Sequence, residues 1–341
     1  MSAPDPESTV TIRDVAEAAG VSISTVSRAF ARPGRVSAST AKRVFAAADA
    51  LGYRARAVDT PAPADGGRLH GILAISVADI ANPVFADYVK SAQHQCMRKG
   101  FGLMVIDAEE TGAIERNALQ LAHAHVDGFI LASSRASDVT IRKIAEIKPA
   151  VTINRPVRGL QSISGDPTPG LTDAIERLIA LGHDSLTYLS GPVASWQDGI
   201  RWRTISELCA RRHITLKRIP GAEPTYAGGY GVAAKFLGNP TTAVIAYNDV
   251  VAIGFMAALR ARGYSVPDDV SVIGVDDLPV SLLVDPRLSS VRLPRKQLAQ
   301  HAVDALIGRL HHTVLHPNLE PVMLPSAFVE RVSIGPAHPC R

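Results

Sequence analysis

Three cysteines, Cys96, Cys209 and Cys340, are all that the 341 residues contain. An odd count, wide spacing and no CxxC pair exclude a disulfide framework and a thiolate metal site, and point to a reduced compartment. No window approaches the roughly 20 apolar residues that a bilayer span needs. The opening "MSAPDPESTV" has no basic stretch leading into an apolar run, so no secretory leader is expected. No GxSxG, HExxH or GxxxxGKS pattern occurs, which removes the usual signatures of hydrolytic and nucleotide-cleaving enzymes. The histidines of "LHHTVLH" (His311, His312, His316) have no carboxylate or thiolate beside them. They are expected to be a solvated helix end, not a metal site. Neither catalysis, nor a cofactor, nor a metal, nor membrane insertion is expected.

What is present is a chain able to bury a sizeable core, with 46% hydrophobic and 20% charged residues. Its length allows two or three domains. Charge is unevenly spread. Residues 8–56 hold eight Lys/Arg against three Asp/Glu, so the overall +4 comes from this segment and the remainder is close to −1. A small basic head on a near-neutral body is the footprint of a polyanion partner.

The head reads as three short helices. Thr11 caps the first, with Asp14 at its third position, and Ile12, Val15, Ala16 and Ala19 share one face. Gly20 breaks the run. Ser22 caps a second helix, which turns Val26, Ala29 and Phe30 inward with Val21. "RPGR" (residues 32–35) is a turn. Ser37 caps a third helix with Val44, Phe45, Ala48 and Leu51 expected inside, and Gly52 suits its end. Two helices across a tight glycine turn, braced by a third, form an all-α helix-turn-helix, whose second helix fits a DNA major groove. Its inward positions leave Ile23, Ser24, Ser27 and Arg28 facing out. Arg28 has the fork for guanine O6 and N7, Ser24 can bond a base edge, and Ile23 can meet a thymine methyl. Ser22, Thr25, Ser37 and Thr40 suit phosphates at positive helix N-termini. Thr11 and Arg35 complete the candidate DNA contacts.

From Leu69 onward, apolar runs alternate with helical patterns. Strands are predicted at 71–77, 102–107, 127–131, 150–153, 185–190, 242–247 and 270–275, with helices such as 83–99, 167–181, 249–262 and 295–310 between or after them. Strand–helix alternation means parallel sheets covered on both faces, and the strand count requires two lobes. Ligands in such folds bind beyond the C-terminal ends of the strands. Asn82 and Phe85, Ser133, Asn154, Trp196 and Arg201, Asn248 and Asp249, and Asp276 all follow predicted strands. Amides, carboxylates, an arginine and an aromatic face suit a polyhydroxylated ring. Taken singly, a strand-end Asp or Asn is more often a helix cap, and Trp196 is equally a packing residue; six strand ends together point to a site.

The stretch "TIRDVAEAAGVSISTVSRAF…RVSASTAKRVFAAADALGYR" resembles the DNA-binding domain of the lactose-repressor (LacI/GalR) family of bacterial transcription regulators. The resemblance implies that Ile23 and Ser24 select the operator and that Arg28 reads a base; the family's later Asn is Ala31 here. The body from Leu69 to about Arg331 is similar to the family's effector-binding module, itself like a periplasmic sugar-binding protein. This implies effector contacts at Arg201, Asn248, Asp249 and Asp276. It also implies three crossings between lobes, expected near 160–165, 288–294 and 317–322. An aromatic that often stacks on the ligand falls at Pro224, so Tyr226 or Trp196 is expected to take over. The tail "HPNLEPVMLPSAFVERVSIGPAHPCR" has five prolines and no leucine heptad, so a homodimer is expected and no tetramer.

The expected organisation is therefore a helix-turn-helix head (8–56), a linker (57–68) and a two-lobed α/β body (69–335). The expected function is an operator-binding regulator, a repressor by preference, located in the bacterial cytoplasm and on the nucleoid when bound. A small carbohydrate-like effector would control it, and a two-fold dimer implies a near-palindromic operator. The competing interpretation is a solute-binding protein or sensor whose head binds DNA only non-specifically.

The linker departs from the family. Its usual Pro-Asn pair is Ala55-Arg56, Ala62 stands where a leucine would wedge into the minor groove, and Pro61 and Pro63 oppose helix. Asp59 and Asp65 repel phosphate. An extended linker without an apolar wedge has nothing to unstack a base step. We therefore expect less operator bending than the family norm. Gel phasing measures it, and a kink of family size at the operator centre contradicts the expectation.

Overall fold

In a computed structural model of the protein, residues 11–31, 36–51, 69–221, 223–311 and 319–338 are described. The linker from 55 to 68 and the tail histidines His312 and His316 lie outside them. The chain divides into two units, residues 1–66 and 67–341.

The head contains α1 (Ile12–Ala19), α2 (Ile23–Ala31) and α3 (Ala38–Ala50). The Asp14 carboxylate accepts from the Thr11 N–H at 2.7 Å and its hydroxyl at 2.8 Å, closing the first turn. These bonds hold the Asp14 carboxyl below its ordinary range. Gly20 ends α1 at φ 63°, a left-handed conformation that glycine adopts without steric cost. Val15, Ala16, Ala19, Val26, Ala29, Val44 and Ala48 form the core. Phe45 and Leu51 were expected in it, yet each is 37% exposed. Val44 and Ala48, one turn apart, already face the core with Ala47 beside them, so Phe45 points about 100° further round the helix.

In the body, β1 (Ile72–Val77), α4 (Pro83–Arg98), β2 (Gly102–Asp107), α5 (Gly112–Ala122), β3 (Gly128–Ala132), α6 (Asp138–Ile147), β4 (Ala150–Ile153) and β5 (Gln161–Asp166) build the first lobe. The second holds α7 (Thr168–Ala180), β6 (Ser185–Leu189), α8 (Trp196–Arg211), β7 (Thr215–Ile219), α9 (Tyr226–Gly231), α10 (Ala233–Leu237), β8 (Ala243–Ala246), α11 (Asp249–Arg260), β9 (Ser271–Val275) and β10 (Ser289–Arg292). The chain then returns as α12 (Arg295–Leu310) and β11 (Val322–Pro325) to the first lobe, and as β12 (Ala327–Val329) to the second. The sheets run β11-β5-β4-β3-β1-β2 and β12-β10-β9-β8-β6-β7. Among the described residues every strand pairing is parallel except β10 with β12, which is antiparallel and lies at the sheet edge.

Strands such as β3 and β4 are buried along their whole length, as sheets covered on both faces require. Leu298, Ala302, Val303 and Leu306 of α12 pack with Leu73 and Ile75 of β1 and Tyr88 and Ala92 of α4, which binds the returning chain into the first lobe. The crossings fall after β5, after β10 and after β11. The expected 160–165 and 317–322 stop short of the first and third. Residues 161–166 are β5 itself, and 322–325 are β11, an exposed edge strand with no burial alternation to mark it. The expected 288–294 spans β10 and its end. Among the described residues no helix is long and apolar enough to cross a membrane.

In the second lobe α9 and α11 touch backbone to backbone. A Cβ at Gly254 would enter the van der Waals shell of the Tyr226 carbonyl oxygen, and one at Gly229 that of the Val251 carbonyl. Neither neighbour is a flexible side chain, so neither can yield. Gly254→Ala is expected to cost about 1–3 kcal/mol through overpacking. The urea midpoint of the body measures this, and an unchanged midpoint contradicts the packing described.

Candidate functional site

Two surfaces carry the sequence-derived candidates, one in each unit. On the head, "VSIST" and "VSAST" open α2 and α3 in the same way. The Thr25 N–H donates to Ser22 Oγ at 3.2 Å and the Thr40 N–H to Ser37 Oγ at 3.3 Å. Ser22 Oγ also lies 2.9 Å from the hydroxyls of Ser24 and Thr25, and Ser37 Oγ 2.8 Å from that of Thr40. The result is two hydroxyl-rich helix N-termini whose dipoles favour an anion. Thr11, Ser22, Ser24 and Ser37 are exposed, and Thr25 and Thr40 are half-buried. Ile23 is 44% exposed, which leaves its side chain open to an apolar group such as a thymine methyl. Ser27 and Arg28 lie on α2, but their side chains, like Arg35, fall outside the described residues.

In the body, a cleft opens between the lobes at the C-terminal ends of the strands. Asn82, Phe85, Tyr88, Glu110, Ser133, Arg135 and Asn154 line it from the first lobe. Gln197, Arg201, Tyr247, Asn248 and Asp276 line it from the second, with Leu293 at a crossing. Seven expected residues thus meet in one place: Asn82, Phe85, Ser133, Asn154, Arg201, Asn248 and Asp276.

Their chemistry differs. Asn82 and Asn248 cap α4 and α11, accepting from Val84 N at 3.2 Å and Val251 N at 2.9 Å. Asn154 is a brace: its amide donates to the Tyr88 hydroxyl at 2.9 Å and its oxygen accepts from Gly165 N at 2.9 Å. Arg201 is 4% exposed. It donates to the Tyr247 carbonyl at 2.5 Å, lies 5.0 Å over the Tyr247 ring, and stands 3.7 Å from Asp276 Oδ1. Burial pulls its pKa down, but the charge of Asp276 and its neighbours more than offset this, so the guanidinium stays charged. Burial pushes the Asp276 carboxyl up, while Arg201 and Arg295 draw it back. Three lining side chains keep a buried polar atom without a partner: Gln197 Oε1, Arg201 Nε and Asn248 Nδ2. Each such atom costs about 1–3 kcal/mol unless something polar meets it. Two donors and one acceptor on a single wall match hydroxyl groups, which both accept and donate.

Three expected residues are not in the cleft. Trp196 opens α8, half-buried and away from the lining. Tyr226 is 48% exposed and stacks on Tyr230, so it does not replace the missing aromatic. Asp249 is wholly buried behind the wall. Its carboxylate accepts from Leu278 N at 2.7 Å, Ser281 Oγ at 2.6 Å and Ser290 Oγ at 2.6 Å, fastening the segment after β9. Burial and then the charge of Asp276 push its carboxyl up to about 7 against those bonds. Sequence reasoning missed Tyr88, Glu110, Arg135, Gln197 and Tyr247. Gln197 alone had a signal, one helical turn before Arg201 on α8.

A helix-turn-helix unit followed by a two-lobed body with a polar cleft defines a ligand-controlled, DNA-binding transcriptional regulator. Residues 11–55 match the model of the bacterial regulatory proteins, lacI family, and residues 175–334 that of the periplasmic binding protein-like domain. The ribose operon repressor of Bacillus subtilis (strain 168) is 31% identical over 302 residues, covering 87% of this chain and 91% of the relative. The lac repressor dimer bound to operator and an anti-inducer superposes with a TM-score of 0.71 at 26% identity, over 96% of this chain and 99% of that one. The transcriptional regulator CelR–cellobiose complex does so at 0.69 and 25%, over 95% and 99%. The chain belongs to the LacI family.

If Asp249 is a fastener, Asp249→Ala strands three buried donors and lowers body stability by about 3 kcal/mol or more. Urea unfolding reads this directly. Unchanged stability with a lost ligand response would make Asp249 a ligand residue instead.

Proposed function

We propose that this regulator is a homodimeric repressor acting in the bacterial cytoplasm on a near-palindromic operator, and that the cleft takes a neutral, polyhydroxylated effector of the carbohydrate class. The observation that carries the effector class is the row of unpartnered atoms at Gln197, Arg201 and Asn248. The lining charges support neutrality: Arg135 and Arg201 are matched by Glu110 and Asp276. Phe85 supplies an apolar face for the C–H side of a ring. The ribose operon repressor and the cellobiose complex among the relatives agree with this class.

The dimer is supported by an apolar surface on the second lobe. Leu283 is 83% exposed and Leu282 50%, and a groove lined by Leu283 with Ile253 and Met256 of α11 runs beside them. A second copy is the occupant proposed, since the operator-bound relative is a dimer. Two recognition helices about 34–36 Å apart would then read successive major grooves. A ligand bridging both lobes changes their relative angle and so the joint affinity of two heads. Reciprocity requires operator to change ligand affinity by the same factor, typically about 5–150-fold.

The test is separation of function. Arg201→Ala is expected to abolish the response of operator binding to effector while operator affinity without effector is kept. Exchanging Ile23 and Ser24 is expected to change operator preference and leave effector binding intact. Both are read by titrating labelled operator, with an affinity that falls steeply with salt. A normal response from Arg201→Ala contradicts the cleft, and salt-independent binding contradicts the head.

A further inference from the structure

Arg135 is a second cation on the wall of the cleft, and its side chain is only 3% exposed. A buried guanidinium needs a partner, and one is supplied in fork geometry. Arg135 Nε donates to Glu110 Oε2 at 2.5 Å and Nη2 to Glu110 Oε1 at 3.0 Å, while Nη1 donates to the Ser133 carbonyl at 3.0 Å. Burial draws the guanidinium pKa down, but Glu110 and the Tyr247 hydroxyl of the opposite lobe more than offset it.

The turn that brings Glu110 to this position is built against local preference. Glu109 and Glu110 are both left-handed, at φ 47° and 55°, a conformation that side chains other than glycine rarely adopt twice running. The turn is fastened on several sides. Glu110 N donates to the Ala78 carbonyl at 2.6 Å, Glu109 N to Asp107 Oδ1 at 3.1 Å, and Thr111 Oγ1 to the Glu109 carbonyl at 3.0 Å. Gly112 lets the turn lie against the Arg135 backbone: a Cβ there would sit 2.7 Å from the Arg135 carbonyl oxygen. Glu115, 0% exposed, accepts from Ser134 Oγ, Arg135 N and Ala136 N at 2.8–3.1 Å and holds the other side. Much of the turn's construction thus fixes one carboxylate on one guanidinium at the rim of the cleft.

We propose that Glu110 is a specificity-determining residue: by filling the fork of Arg135 it removes an anion site from the first-lobe wall and restricts the cleft to uncharged ligands. The proposal rests on the cleft being the effector site. A phosphorylated or carboxylated analogue would meet a fork already occupied and a carboxylate at the rim. With Glu110 neutralised, Arg135 becomes a buried, unpaired cation beside the Tyr247 hydroxyl and would recruit an anion.

The test uses the full chain and inorganic phosphate, titrated by calorimetry against chloride at matched ionic strength. Wild type is expected to show no saturable phosphate binding. Glu110→Gln, which keeps the side-chain shape, and Glu110→Ala, which opens the fork further, are expected to show saturable phosphate binding, about tenfold or more above the upper limit set by wild type. Adding Arg135→Gln to either is expected to remove the gain. Absence of the gain in both folded variants, or its survival without Arg135, overturns the proposal, as does wild type binding phosphate equally well. Phosphate reports on Arg135 whatever the natural effector is, so these results remain distinct from failure of the Arg201→Ala test.

Discussion

The cleft depends on one constraint: charge taken out of water must be partnered. Arg201 and Arg135 carry buried guanidinium groups on facing walls. The fold answers each differently. Arg135 is closed off by a bidentate carboxylate. Arg201 receives a carbonyl, an aromatic face and a carboxylate at 3.7 Å, too far for a hydrogen bond, and keeps Nε unpartnered. One arginine is therefore completed by the protein and the other is left for a ligand to complete. That asymmetry gives the cleft a polar reading face without a net charge.

Tyr247 joins these two arrangements. Its carbonyl accepts from Arg201, its ring lies beneath that guanidinium, and its hydroxyl lies 3.0 Å from Ser195 Oγ and bears on Arg135 across the cleft. Ser195 in turn caps α8, the helix that carries Gln197 and Arg201. A ligand that displaces Arg201 by a fraction of an ångström therefore acts on a residue in touch with both lobes. Packed interiors respond to such shifts by switching arrangement rather than by bending smoothly.

Much of this was legible in the sequence for a physical reason. Buried parallel strands are continuous apolar runs, so β4 was found at its observed limits, and α12 likewise from its helical period. Strand ends then locate a cleft by topology alone, which is how Asn82, Ser133, Asn154, Arg201, Asn248 and Asp276 were found. What failed was direction and long-range pairing. Asp249 follows a strand, as Asp276 does, but its side chain turns away from the cleft into three hydrogen bonds. Glu110 and Arg135 are 25 residues apart and acquire meaning only when two turns meet. β5, whose sequence is largely polar, and the exposed edge strand β11 lack an apolar pattern, and the crossings were misplaced with them.

Backbone strain marks the same boundary. Glu110, Ser133, Asn154 and Asp276 all line the cleft, and all have positive φ, at 55°, 56°, 56° and 111°. Each such residue costs of order 1–3 kcal/mol, and it persists only where its surroundings over-determine it. Here they do: Glu110 by its backbone bond to Ala78, Ser133 by one to Ile153, Asn154 by one to Ile163, Asp276 by one to Val291. Ser133, Asn154 and Asp276 each directly follow a strand and have their N–H anchored to a neighbouring strand, so their strain is held by sheet hydrogen bonds; Glu110, three residues beyond β2, is anchored just past the end of β1. A strand must stop abruptly for its last side chain to turn over the sheet edge and into the cleft. The left-handed residue is that stop, and because glycine would offer no side chain to present, the fold accepts a strained polar residue instead.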